Sequence, residues 1–166
     1  MRLGLIAVAL MASSSAAFGA ISGFELPWFN SDAGAGAVYK SAEHPNTVFV
    51  MEAFENFCPA CNENASNVDT LATQYANNDK VQVLDLDLDT SDREIRAWIA
   101  NHHPNHPVVK DVGGKIWAEI DEQYIPTTVV VDCTGAIVWK NVGTWESDTK
   151  VQLKKAIDDA VAACGT

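Results

Sequence analysis

The chain has 166 residues, 48% hydrophobic and 20% charged, enough for one domain with a core and too few for two ordinary domains. Twenty-two acidic against eleven basic residues give a formal charge of −11. A basic surface for phosphate backbones or anionic lipid is therefore missing, which argues against nucleic acid as a partner. Gly and Pro are near average in number and no long period repeats, which removes collagen-like, low-complexity and solenoid architectures.

Met1 to Gly19 carry one basic residue, Arg2, an apolar run from Leu3 to Ala12, and small residues ending in Ala17-Phe18-Gly19. The run is about ten residues, short of the roughly twenty that a spanning helix needs. This is the pattern of a secretory signal peptide over residues 1–19, cleaved after Gly19, with an uncleaved anchor as the alternative. The domain proper is then residues 20–166, exported to the periplasm or an equivalent compartment, with a formal charge of −12 once Arg2 is lost. Export permits disulfides.

Phe24 to Lys40 is rich in Gly, Ala and turn residues and predicts a loop with one short strand. Thr47 to Phe54 is a continuous apolar run interrupted by Glu52, as expected of a central strand buried on both faces. A carboxylate at that place needs a physical reason. Pro59 to about Asn77 places Ala60, Ala65, Val68, Leu71, Ala72 and Tyr75 at helical spacing. Val81 to Asp87 predicts a strand, and Asp92 to Asn101 a helix capped by Ser91 or Asp92. His102 to Gly114 is an insert punctuated by Pro104, Pro107 and Gly113-Gly114, with a short extended piece at Val108-Val109. Lys115 to Gln123 predicts a short helix, Thr127 to Val131 a strand, Ala136 to Asn141 its hairpin partner, and Ser147 to Ala163 a closing helix. This order implies an α/β fold with a mixed central sheet flanked by helices on both faces.

Cys58-Pro59-Ala60-Cys61 falls where the apolar run meets the long helix. Cys58 would stand at the helix N-terminus, where unpaired N–H groups and the helix dipole stabilise a thiolate, and Cys61 would lie one turn on, able to close a disulfide. A zinc site and an inert bridge are the alternatives for such a pair. Cys133 and Cys164 are expected to form a structural disulfide, because the closing helix in this order runs back toward the turn that begins at Cys133. Two free thiols, or a resolving role for Cys164, are the other options.

Phe54 to Cys61 resembles the active-site segment of the thioredoxin superfamily, and Ile125-Pro126-Thr127-Thr128 resembles its cis-proline loop. Within it the exported TlpA/ResA-like branch is the most similar, through Ile95 to Ile99, Pro107 to Asp111, Ile125 to Asp132 with Gly135, and Val142-Gly143. The resemblance implies a thioredoxin-like fold with a short insert before the cis-proline loop. It also implies a thiol-disulfide oxidoreductase with no cofactor, most simply a reductant of protein disulfides, including a role in cytochrome c maturation. A disulfide oxidant or isomerase, or a metal-binding thioredoxin-fold module, is the alternative. Partners would be protein thiols and disulfides and an upstream electron donor such as a membrane thiol reductase, the chain itself acting as a monomer.

Cys58 and Cys61 would then be the redox pair, with Phe57, Ile125 and Pro126 touching substrate. Glu52 matches the position where thioredoxins carry a buried Asp, and it would exchange a proton with Cys61. Two departures stand out: the branch often has Trp before the first Cys and Glu three residues after the second, where this chain has Phe57 and Asn64. Asp85, Asp87 and Asp89 alternate but lack the Gly and Glu of a calcium loop, and are expected to run into solvent at a strand end. His102, His103 and His106 are expected in a surface loop, with no metal bound.

Overall fold

A computed structural model describes residues 18–89 and 91–165. The expected signal peptide therefore lies outside the described residues, apart from Phe18 and Gly19. The chain forms β1 (Glu25–Pro27), β2 (Val38–Lys40), β3 (Val48–Phe54), α1 (Pro59–Tyr75), β4 (Val81–Asp87) and α2 (Asp92–His102). It continues through β5 (Val108–Lys110), α3 (Lys115–Ile120), β6 (Thr127–Val131), β7 (Ile137–Val142) and α4 (Ser147–Cys164).

Five strands make one mixed sheet in the order β5-β4-β3-β6-β7. β3 is central, parallel to β4 and antiparallel to β6, and every residue of it is buried. Alternation along β3 sends Phe49, Met51 and Ala53 to one face, where Leu84, Leu86, Val129, Ile116 and Ile120 complete a core under α3 and the N-terminal hairpin. Val48 and Val50 go to the other, against Val68, Leu71, Leu153 and Ile157 of α1 and α4. Glu52 and Phe54 share this second face, and the Phe54 ring packs on Trp98 of α2 at 4.1 Å.

Two departures from the sequence-based expectation affect the site. The segment expected as one strand in a loop folds into the β1-β2 hairpin, in which Leu26 opposes Tyr39. The short extended piece expected at Val108-Val109 forms as β5, and it is the pairing of this edge strand, Val108, Val109 and Lys110 against Asp85, Leu86 and Asp87, that was not expected. Asp85, Asp87 and Asp89 consequently do not run into solvent but are buried, 2%, 0% and 6% exposed.

Gly135, in the β6-β7 turn, holds φ at +89°, and a Cβ there would meet the Ile21 carbonyl oxygen at 2.7 Å. Nearby, Cys133 and Cys164 are joined with their Cα atoms 5.8 Å apart, tying the end of α4 to the β6-β7 turn across 31 residues. A loop of that length corresponds to about 3.7 kcal/mol of chain entropy. The double variant Cys133→Ala, Cys164→Ala is therefore expected to lose roughly 2 to 4 kcal/mol in denaturant unfolding, with the Cys58–Cys61 pair intact; a loss under about 0.5 kcal/mol would assign the bridge no stabilising role.

Candidate active site

The chain leaves β3 at Phe54, turns through Glu55-Asn56-Phe57 and enters α1 at Cys58, the N-cap, with Pro59 as the first helical residue. Pro suits this place because its fixed φ is helical and its missing N–H would have had no partner. Cys58 and Cys61 are disulfide-bonded, with Cα atoms 5.3 Å apart. Cys58 Sγ accepts the Cys61 backbone N–H at 3.1 Å, and the first turn of α1 carries no acidic residue to offset the helix dipole. Cys58 keeps 6% of its surface and Cys61 none, so only Cys58 can be approached from outside.

The turn is braced on several sides. Asn56 N–H donates to Asp89 Oδ2 at 2.8 Å, and the Asn62 amide donates to the carbonyls of Asn56 and Cys58 at 3.0 and 2.8 Å. Asn62 Oδ1 in turn meets His102 Nε2 at 2.8 Å. The Ile125–Pro126 bond is cis, and the Ile125 carbonyl lies 3.9 Å from Cys58 Sγ. Phe57 and Tyr124 stand 73% and 68% exposed on the segments flanking the disulfide. The structure thus brings the Cys58–Cys61 pair against the Ile125–Pro126 loop, with Phe57 exposed beside Cys58.

Glu52 lies beneath, 1% exposed. Its Oε2 accepts from Asn64 Nδ2 at 2.6 Å and Thr128 Oγ1 at 3.1 Å, while Oε1 has no hydrogen-bond partner among the described residues. Asn64 Oδ1 accepts the Trp145 backbone N–H at 3.1 Å, and Trp145 Nε1 donates to Thr128 Oγ1 at 2.7 Å, closing a ring of four side chains. Burial, and secondarily the Asp85 charge on the neighbouring strand, push the Glu52 carboxyl up to about 8, against the pull of the two hydrogen bonds. Asp87, whose carboxylate is fully buried, is also pushed up to about 8, by burial and then by Asp89.

The sequence singled out Glu52 but not its setting. Asn64 entered as a departure from the family pattern and not as a partner of Glu52, Thr128 as part of the proline loop, and Trp145 not at all. A usable signal existed for Asn64: it falls with Cys61, Ala65, Val68 and Leu71 on the buried stripe of α1, where an amide requires partners. The histidines need correction. His102 ends α2 and stacks on Trp98 at 4.2 Å, and His103 caps it in a left-handed conformation. His106 is buried, not on a surface loop, with its ring nitrogens 3.2 Å from Asp69 and from Asp85. Among the described residues no group of three or more His, Cys, Asp or Glu is arranged to hold a metal.

Residues 21–157 match the family model described as Redoxin. The chain belongs to the Redoxin family. No curated protein matches it significantly in sequence. Its fold is that of solved thioredoxin-like structures. A protein named as a thiol:disulfide interchange protein DsbE from Chlorobium tepidum superposes with a TM-score of 0.73 at 20% identity, over 89% of this chain and 99% of that one. StoA from Bacillus subtilis gives 0.66 at 17%, over 81% and 96%. An exposed lipoprotein thioredoxin from Streptococcus pneumoniae gives 0.68 at 21%, over 81% and 98%. With Cys58 and Cys61 linked at the head of α1, this Redoxin family member is a thiol-disulfide oxidoreductase of the thioredoxin superfamily.

Glu52, Asp87 and His106 all hold protons more tightly folded than unfolded, His106 because Asp85 and Asp69 outweigh its burial. Their stabilising contribution is complete below the ordinary carboxylate range and is lost as pH rises through about 8 for the two acids. Stability of the oxidised protein is therefore expected to fall between pH 5 and 8. Glu52→Gln should flatten that limb by roughly 1 kcal/mol per pH unit in urea titrations. An unchanged slope would mean that Glu52 is already ionised in the folded protein.

Proposed function

We propose that this protein is an exported reductant of protein disulfides, with Cys58 as the attacking thiol and Cys61 as the resolving one. The charge around the pair carries the direction. The turn between β3 and α1 bears Glu55 and is held at Asn56 by the Asp89 carboxylate, whereas the chain from Ser41 to Asp79 contains neither Lys nor Arg. Carboxylates without cations oppose formation of a second anion nearby, which disfavours the thiolate form of the reduced pair and makes the disulfide the comparatively stable state. A pair that prefers its own disulfide gives electrons away.

In the first step the Cys58 thiolate attacks one sulfur of a substrate disulfide. A Cys58–substrate disulfide forms and the other substrate sulfur leaves as a thiolate. The substrate strand lies against the Ile125 backbone, beside Pro126 and the exposed Phe57 ring. In the second step Glu52 takes the Cys61 proton, the Cys61 thiolate attacks Cys58 Sγ, and the Cys58–Cys61 bond forms as the reduced substrate departs. Two electrons pass to substrate in each cycle, and an upstream thiol donor, such as a membrane thiol reductase, must return them. The signal-like residues 1–19 and the exposed lipoprotein thioredoxin among the structural neighbours support export. The TlpA/ResA-like resemblance makes cytochrome c maturation the process to test first.

A reduction potential near about −270 mV is expected from glutathione or dithiothreitol equilibration; a value near about −120 mV would make the protein an oxidant instead. Cys61→Ser is expected to accumulate mixed disulfides with substrate proteins and Cys58→Ser to accumulate none, with the opposite pattern reversing the roles.

Reaction of the reduced protein with Ellman's reagent separates the two steps, since the first thionitrobenzoate leaves on attack by Cys58 and the second on resolution by Cys61. Glu52→Gln is expected to slow the second release about tenfold or more and to leave the first unchanged. Equal second-release rates in the two proteins would make Glu52 purely structural.

A further inference from the structure

Glu52 and Asp85 are register partners on the adjacent parallel strands β3 and β4, and both are buried. Two carboxylates side by side in an apolar sheet cannot both carry a charge without a cation nearby. The cation available is His106. Its Nε2 stands 3.2 Å from Asp85 Oδ2, and its Nδ1 stands 3.2 Å from Asp69 Oδ1 on α1. Asp85 Oδ2 also receives the Trp98 Nε1–H at 3.1 Å.

The loop that carries His106 is fixed independently of this charge. Asn30 Nδ2 donates to the His106 carbonyl at 2.7 Å and Asn30 Oδ1 accepts the Val108 N–H at 2.8 Å. Asn105 donates to Asp69 Oδ1 at 3.1 Å through its backbone and to Thr73 Oγ1 at 2.8 Å through its side chain. The His106 side chain is 3% exposed and that of Asp69 29%, so the row Asp69, His106, Asp85 leads from the protein surface to the flank of Glu52. A surface cleft of about 410 Å³ is bordered by Tyr75, Val83, Asn105 and His106.

We propose that His106 is a positioning residue for the thiol-disulfide chemistry: clamped between Asp69 and Asp85, it holds an anion on β4 beside Glu52, and that anion keeps on Glu52 the proton that Cys61 exchanges. The inference rests on the role for Glu52 proposed above. The other charged group facing this pair is Asp87, further along the same face of β4. On the remaining sides α2 presents the Trp98 indole, β6 the Thr128 hydroxyl and the segment before α4 the Trp145 indole. The imidazolium stays charged above its ordinary range because Asp85 and Asp69 outweigh its burial. Without it, the enclosed Asp85 carboxylate has no cation beside it.

The test is the pH profile of the second thionitrobenzoate release, which rises as Glu52 loses its proton. Asp85→Asn removes the neighbouring charge and is expected to move the midpoint down by about one to two pH units. His106→Phe should move it in the same direction. Asp69→Asn, at the exposed end of the row and the least disruptive to folding, should do so by less. The first release, by Cys58, serves as the internal control and should keep its profile. An unmoved midpoint in Asp85→Asn, or an unmoved or upward-shifted one in His106→Phe, overturns the proposal while Glu52→Gln still abolishes the pH dependence. If Glu52→Gln leaves the profile as it was, the reading of Glu52 itself fails, and this inference with it.

Discussion

A carboxylate enclosed in an apolar sheet has to be neutral, paired with a cation or surrounded by donors, and Glu52 is met by donors on one oxygen only. The hydrogen-bonded ring that holds it draws on three distant parts of the chain. Asn64 arrives one turn of α1 after Cys61, Thr128 two residues after the cis-proline, and Trp145 on the approach to α4. One polar ring therefore fixes α1 against β3 and β6 and holds the approach to α4 on it, and these segments carry the cysteines and the proline loop. Breaking any edge of the ring leaves a buried donor or acceptor unpaired, which makes the arrangement more specific than the apolar contacts around it.

The two sulfurs consequently sit in opposite surroundings although they are three residues apart. Cys58 has the N–H end of α1, an accepted backbone hydrogen bond and a little exposed surface. Cys61 has no exposed surface and lies on the buried side of α1, in the row that leads to Asn64. The helix dipole favours charge on the first sulfur, while burial disfavours it on the second unless a base is at hand. An asymmetry of this kind is what separates an attacking thiol from a resolving one.

Much of this could be read from the sequence because periodicity and punctuation were strong where it mattered. The apolar run Val48 to Phe54, the Cys-Pro-Ala-Cys junction and the stripe on α1 each mark an element within a residue or two of its observed bounds. What was hidden depended on tertiary partners. The extended piece at β5 was legible, but not its pairing to β4, which is what turns Asp85 and Asp87 from a strand end into buried groups. The Pro-rich composition around His106 indicates a loop correctly, but composition does not tell that Asn30 and Asp69 pin that loop inward. The β1-β2 hairpin was obscured for a related reason, since its three-residue strands owe their place to the packing of Leu26 and Tyr39 against the sheet.

The acids that seemed superfluous in the sequence belong to one electrostatic arrangement. On the second face of the sheet, Glu52, Asp85 and Asp87 follow one another from β3 along β4, and the one buried imidazole stands at Asp85. Lys110 is the nearest lysine to Asp87 and lowers its proton affinity, but its ammonium group is engaged by Asp92 at 2.9 Å. Negative charge is thus compensated at Asp85 and left uncompensated on either side, toward Glu52 and toward Asp87. Burial first, and this uncompensated charge after it, push both positions up to about 8. A sheet built this way stores protons beside a disulfide whose reduction consumes them, and the placement of a single histidine decides which carboxylate holds one.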